Sequence, residues 1–407
     1  MSARPATGSS PSPRARLTEF ATRHRSTTIV LGMLLISVAL IILPKFPPLS
    51  WIQREAPWFD AFANAGVFVL LAMGLNVVIG LAGLLDLGYA AFFAIGAYTY
   101  AYSNSPFSQT DLPFLPMLFV GAAVAAVFGI ALGAPTLRLR GDYLAIMTLG
   151  FGEIVPIVFL NLDQWTLGTN GIGGIFRPEP LPFIGEFTPL SPFAYFILML
   201  GIVTIAMALL YRMQDSRIGR AWNAIREDEL AAAANGINTV TTKLLAFAMG
   251  ATTAGLAGVF NASKLTIVSP EQFLFAVSFS VLAMVILGGM GNIWGVAAGA
   301  FIVYLIQVVV LKQLNAIVEG LGIPLLEDVN FLDYQFLLFG VALVLMMLFR
   351  PEGLFPSQRR RRELHVADEA AGVAIDGPAA IGAMGQAPGS DDVFDEASSG
   401  DVPGKDR

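Results

Sequence analysis

The chain has no cysteine and only two histidines in 407 residues. Without thiols there is no disulfide framework and no thiolate metal centre. His24 and His365 both lie outside the apolar runs, so a histidine-based catalytic or metal site is not expected. Charge is scarce as well, at 13% of residues against roughly 25% in soluble domains. The sequence has no phosphate-cradling G-x-x-x-x-G-K-[ST] loop and no G-x-G-x-x-G opening a helix after a strand. Paired catalytic carboxylates and a nucleophile partnered by histidine are also missing. The expectation is a chain with no catalytic residues, no metal, no cofactor of its own and no nucleic-acid partner.

What the sequence does have is apolar surface. Hydrophobic residues make up 55% of it, more than a soluble protein hides and what a bilayer accepts. At about 20 residues per membrane helix, the runs read as helical spans near 29–43, 62–80, 87–103, 114–134, 143–161, 192–211, 243–263, 273–290, 293–312 and 334–349. The expected fold class is therefore all-α, a polytopic integral membrane protein of about ten transmembrane helices. The run from Thr28 to Leu43 is followed by Pro44-Lys45-Phe46-Pro47-Pro48, not by a small-x-small cleavage site, so it reads as a retained first helix.

The domain plan is a polar N-terminal arm (1–28), a membrane domain (29–355) and a basic, then acidic, disordered tail (356–407). Residues 162–191 carry turn signals, among them Thr169-Asn-Gly-Ile172. Residues 313–333 read as a stretch lying on the outer surface. Two glycine-rich turns, Gly80-Leu-Ala-Gly83 and Gly288-Gly-Met-Gly291, overlay as an internal repeat.

Charge tests this plan. With ten spans and both termini inside, all 24 basic residues except Lys45, Arg54, Arg177, Lys264 and Lys312 fall on the cytoplasmic side, as the positive-inside rule requires. The polar loop within 212–242 is then cytoplasmic. Its residues 217–237 favour a short helix with Ala221, Ile225, the Leu230/Ala231 region and Ala234 on one apolar face. Gly236 and Asn238 are placed to stop it. Such a helix is either a docking element or a solvated loop with no partner.

Several stretches are familiar together. Leu75-Asn-Val-Val-Ile-Gly through Asp86-Leu-Gly to Tyr98, Leu137-Arg-Leu-Arg-Gly-Asp-Tyr through Glu153, Thr169-Asn-Gly-Ile172, Ile225-Arg-Glu-Asp-Glu with Gly236-Ile-Asn, and Ile286-Leu-Gly-Gly-Met-Gly-Asn-Ile-Trp-Gly295 occur in this order. Over roughly 60–355 the chain resembles the permease subunits of high-affinity branched-chain amino-acid ABC transporters, the longer M-type in particular. The resemblance implies the ABC importer permease fold and a bacterial inner-membrane location. It also implies a second permease subunit, two cytoplasmic ATPase subunits that hold the ATP, and an extracytoplasmic substrate-binding protein, all within membrane lipid.

Carried onto this sequence, the coupling motif E-A-A-x-x-x-G falls on Ala231, Ala232 and Gly236. Its glutamate position holds Leu230, with Glu229 one residue early. Arg226 and Glu229 are candidate ATPase contacts, or else solvated charges. For the translocation pathway the candidates are Asn76, Thr148 and Glu153, since ionisable groups within membrane helices are costly and usually have a task. The alternatives are a structurally paired Glu153 and an Asn76 that only bonds between helices. Leucine, isoleucine and valine are the expected substrates. The competing readings are urea, short amides or other amino acids as substrate, an ion-coupled secondary transporter, and a scaffold with no pathway.

Overall fold

In lipid every backbone polar group must be satisfied within the protein, so long apolar runs have little choice but to become helices. The computed structural model describes residues 55–136, 142–181, 185–188, 191–310, 334–350 and 353–355, with residues 32, 35, 36 and 38–42. The expected arm 1–28, much of the first span, the basic turn at Arg138 and Arg140, the segment 313–333 and the tail 356–407 lie outside the described residues.

The long helices are α1 (Glu55–Asn76), α2 (Ala90–Ser103), α3 (Phe114–Thr136), α4 (Asp142–Asn161) and α5 (Pro192–Gln214). Two short helices follow, α6 (Arg217–Glu227) and α7 (Glu229–Ala234), and then α8 (Thr239–Leu265), α9 (Phe275–Gly288), α10 (Ile293–Leu305) and α11 (Gln335–Phe349). Among the described residues six helical stretches are long and apolar enough to cross a membrane: Trp58–Leu81, Phe114–Pro135, Asp142–Asn161, Pro192–Gln214, Thr239–Leu265 and Pro270–Gly288. Ile293–Val308 and Gly340–Phe349 are shorter apolar helices. The described residues thus bear out a mostly helical membrane protein with six helices of spanning length, where an all-α fold of about ten spans was expected.

The expected span at 87–103 differs most. Helix α2 has 14 residues, about 21 Å at 1.5 Å per residue, well short of a bilayer core of about 30 Å. It begins partway through the bundle. The Ala90 amide donates to Ser278 Oγ at 2.8 Å, near the start of α9, and the Tyr89 hydroxyl donates to the Gly250 carbonyl at 2.8 Å, midway along α8. The irregular connection 82–89 is possible because side chains satisfy its backbone. Thr148 Oγ1 accepts from the Leu87 amide at 3.0 Å, and Asp86 Oδ1 accepts from the Gly88 amide at 2.9 Å. Non-helical backbone at membrane depth is tolerated where protein encloses it, and α2 is buried along nearly all its length.

Helices α1 and α8 form the centre. Of the Trp58–Leu81 stretch 83% is buried, against 33% for α3 and 28% for α4, so α3 and α4 are peripheral. Helices α1 and α8 run antiparallel, because Lys264 at the end of α8 pairs with Asp60 near the start of α1 at 2.8 Å. Small residues bring the backbones together: a Cβ on Gly96 of α2 would stand 2.5 Å from the Gly255 carbonyl oxygen of α8. Such close approach replaces the hydrophobic drive that lipid cannot supply. Outward-facing Phe119, Val127, Tyr143, Ile146, Ile154 and Ile157 give α3 and α4 exposed apolar faces.

At the Lys264 end, Ile172–Gly173 and Ile267–Val268 pair as a two-stranded antiparallel sheet, with Ile172 opposite Val268. The loop expected to be irregular over 162–191 is therefore tied to the exit of α8. At the opposite end the two glycine turns of the expected repeat meet. Gly83 and Gly291 both have positive φ, +71° and +83°, and the Asn76 side-chain carbonyl accepts from the Gly291 amide at 2.8 Å. The segment after α11 closes over the same place, the Leu354 amide donating to the Leu287 carbonyl at 2.8 Å.

Candidate functional site

The α6–α7 segment follows α5 at the end of the bundle where the glycine turns meet. One short helix was expected within 217–237; there are two. Asp228 has extended backbone (φ −155°, ψ 112°), and its carboxylate accepts from the Leu230 and Ala231 amides at 2.8 and 3.0 Å. An aspartate that caps a new helix must itself leave the preceding one. Ser216 caps α6 in the same way, its hydroxyl accepting from the Gly219 amide.

The break changes which residues face inward. The buried residues are Gly219, Trp222 and Ile225 on α6 and Ala232 on α7. Ala221 is only half-buried, while Ala231 and Ala234 are exposed. Leu230 is 67% exposed and Val240 54%. The one apolar face expected from Ala221, Ile225, Leu230/Ala231 and Ala234 is thus split: Ile225 is buried, whereas Leu230, Ala231 and Ala234 are exposed. The real anchor is Trp222, whose indole N–H donates to the Thr242 carbonyl at 2.8 Å. Its i, i+3 spacing to Ile225 was the available signal.

Gly236 ends α7 as expected. Its φ is +83°, and two backbone bonds close the turn, Ile237 amide to Ala232 carbonyl at 3.1 Å and Gly236 amide to Ala233 carbonyl at 3.0 Å. This is a Schellman arrangement with glycine in the left-handed position. Asn238 has a different task from the one expected: it caps α8, its side-chain oxygen accepting from the Thr241 amide at 3.1 Å.

Both charged candidates of the loop reach back into the bundle. Arg226 Nη1 donates to the Gly80 carbonyl at 2.5 Å, and its stem packs on Gly83, where a Cβ would stand 2.7 Å from Arg226 Cγ. The Glu229 carboxylate lies 2.6 Å from Lys243 Nζ, a lysine buried in the first turns of α8 that the sequence reading had not singled out. Gln214 Nε2 donates to the Gly291 carbonyl at 3.3 Å. With Asp142 and Leu84, the residues Arg226, Glu229 and Lys243 line a cleft of about 250 Å³. The segment is thereby fastened to the end of α1, to α8 and to the α9–α10 turn.

The structure does not gather Asn76, Thr148 and Glu153 into one pathway. Asn76 is fully buried and spends its carbonyl on Gly291. Thr148 holds the Leu87 amide and borders a void of about 10 Å³ beside Asp86. Glu153 is half-buried on α4, with no hydrogen bond or ion pair to another described residue.

Residues 59–347 match the family described as branched-chain amino acid transport system / permease component. The chain is similar to the high-affinity branched-chain amino acid transport system permease protein LivM of Escherichia coli K12, 40% identical over 320 residues, covering 73% of this chain and 70% of that protein. It is also similar to the probable branched-chain amino acid transport permease protein LivM of Methanocaldococcus jannaschii, 27% identical over 72% of this chain and 91% of the relative. Similarity extends to the high-affinity branched-chain amino acid transport system permease protein LivH of Escherichia coli K12, 23% identical over 73% of this chain and 93% of the relative. No solved structure matches the chain.

Proposed function

The chain belongs to the branched-chain amino acid transport permease family, and on that premise we propose that it is the membrane subunit of an ATP-driven importer for leucine, isoleucine and valine. It is a transport subunit of an integral membrane complex and not an enzyme. In this reading it pairs with a second permease subunit, receives substrate from an extracytoplasmic binding protein, and is driven by two cytoplasmic subunits that bind the ATP. Both termini and the α6–α7 segment face the cytoplasm of a bacterial cell, the orientation that the bias of basic residues favours.

The observation that carries the reading is the form of α7. It is a capped helix whose side away from the bundle presents Leu230 and Ala231 to solvent. On this reading the exposed apolar side formed by Leu230, Ala231 and Ala234 is what a docked subunit covers. Ala232 packs inward, and Gly236 sets where the helix stops. Glu229 connects this docking helix to Lys243 of α8, and Arg226, at the end of the adjoining α6, connects to Gly80 beyond α1. For nucleotide binding to drive transport, α7 must contact the ATPase differently in the two states of the assembly, because a contact equally good in both shifts nothing.

An ion-coupled carrier would need paired ionisable groups near mid-membrane, and Glu153 has no such partner among the described residues. The test is uptake of labelled leucine by vesicles containing the whole assembly. Uptake that needs internal ATP, survives collapse of ion gradients and is competed by isoleucine and valine supports the reading. Uptake without ATP that follows an ion gradient overturns it.

A further inference from the structure

At the Lys264 end, helices α1, α2, α8, α9 and α10 border an open cavity of about 290 Å³. That is space for roughly ten waters at about 30 Å³ each, enough for one small aliphatic amino acid. Its wall has two chemistries. Val67, Phe68, Phe93 and Val277 form an apolar side, and Asn261 and Gln272 with Asn64 and Tyr304 a polar one. The Gln272 side-chain carbonyl is buried without a hydrogen-bond partner among the described residues, which costs free energy unless something donates to it.

The charged groups nearby are already matched. Lys264 pairs with Asp60 at 2.8 Å and donates to the Asn64 side-chain carbonyl at 2.5 Å. The polar wall of the cavity itself is made of uncharged amides and a phenol, so a ligand with net charge finds no counter-ion there. A zwitterion carries no net charge, and its ammonium and carboxylate are met by an amide carbonyl and an amide N–H. A second cavity, about 270 Å³ between α1, α5 and α10, is lined by Phe62, Val69, Met199 and Trp294 among other apolar residues and offers a zwitterion nothing.

We propose that the cavity at the Lys264 end is a station for a single zwitterionic aliphatic amino acid, with its hydrocarbon chain on Phe68, Phe93 and Val277 and its head group on Gln272 and Asn261. The proposal rests on the transport reading above and adds the place where this subunit holds its substrate. None of Asn76, Thr148 and Glu153 lines this cavity.

The absence of native cysteine makes the test direct. In the full assembly, Val277→Cys and, separately, Phe68→Cys place one thiol on the apolar wall, and a small thiosulfonate reagent reports its accessibility. Both variants are first checked for a monodisperse complex that retains its ATPases, so that a misfolded variant is recognised and the other one used. Leucine or valine at about ten times its dissociation constant slows labelling about tenfold by mass action, whereas glutamate and arginine do not. Labelling unaffected by leucine, or a thiol the reagent never reaches, overturns the station. If the unsubstituted assembly shows no ATP-driven leucine uptake, the transport reading fails instead.

Discussion

Arg226 Nη1 donates to the Gly80 carbonyl at 2.5 Å, across 146 residues of sequence. The bond joins the polar loop to the end of the most deeply buried helix. Hydrogen bonds from charged donors contribute about 1.5–3 kcal/mol. Arg226→Ala is expected to lower leucine uptake about tenfold or more while the ATPases remain bound and hydrolyse ATP. Uptake and ATPase retention measured on the same preparation check this. Parallel loss of both would place Arg226 in docking, not in transmission.

The Glu229–Lys243 pair is asymmetric. The Lys243 side chain is 6% exposed and that of Glu229 26%. Removing the glutamate leaves a buried ammonium without this carboxylate, and breaking a buried pair from one side costs about 3 kcal/mol or more. Glu229→Ala is therefore expected to lower the melting temperature of the detergent-solubilised protein more than the double change Glu229→Ala with Lys243→Met. Equal melting of the two would show that the pair holds little of the loop's stability.

Gly236 separates backbone strain from packing. A Cβ there would meet nothing within 4 Å, so the cost of Gly236→Ala is conformational, about 1–2 kcal/mol for a left-handed residue. Gly236→Asn is expected to cost less, because asparagine tolerates this region. Uptake should fall in the order glycine, asparagine, alanine, read against the amount of assembled complex.

How much of this was readable beforehand varies with the range of the interaction. Six of the long apolar runs became helices of spanning length because hydropathy acts locally. Gly236 was readable as a stop for the same reason. The break at Asp228 was also local and was passed over: an aspartate before Glu-Leu-Ala-Ala is a cap signal, but the strong helix formers around it hid the boundary. Missing that boundary joined Ile225 to Leu230, Ala231 and Ala234 on one apolar face, whereas Ile225 is buried and the other three are exposed. The Asn76–Gly291 and Ala90–Ser278 bonds join residues far apart in sequence. No periodicity encodes them, and the start of α2 partway through the bundle involves the second.

Asp86 gives a test of that truncated helix. It is buried, one carboxylate oxygen holding the Gly88 amide at 2.9 Å and the other without a partner among the described residues. Asp86→Asn keeps the acceptor and is expected to assemble normally. Asp86→Leu orphans the amide at a cost of about 1–3 kcal/mol, and should lower the yield of folded protein. The measurement is the monodisperse fraction after solubilisation of each variant.

The central claim is that α7 is where the ATPase subunits dock, and Leu230 is its most exposed large side chain. With no native cysteine in the chain, Leu230→Cys provides a single thiol for labelling with a maleimide. Rapid labelling of the permease is expected without its ATPases, with strong protection in the assembled complex and protection that changes when ATP is bound. Equal labelling with and without the ATPases, in a complex that still transports leucine, would contradict it.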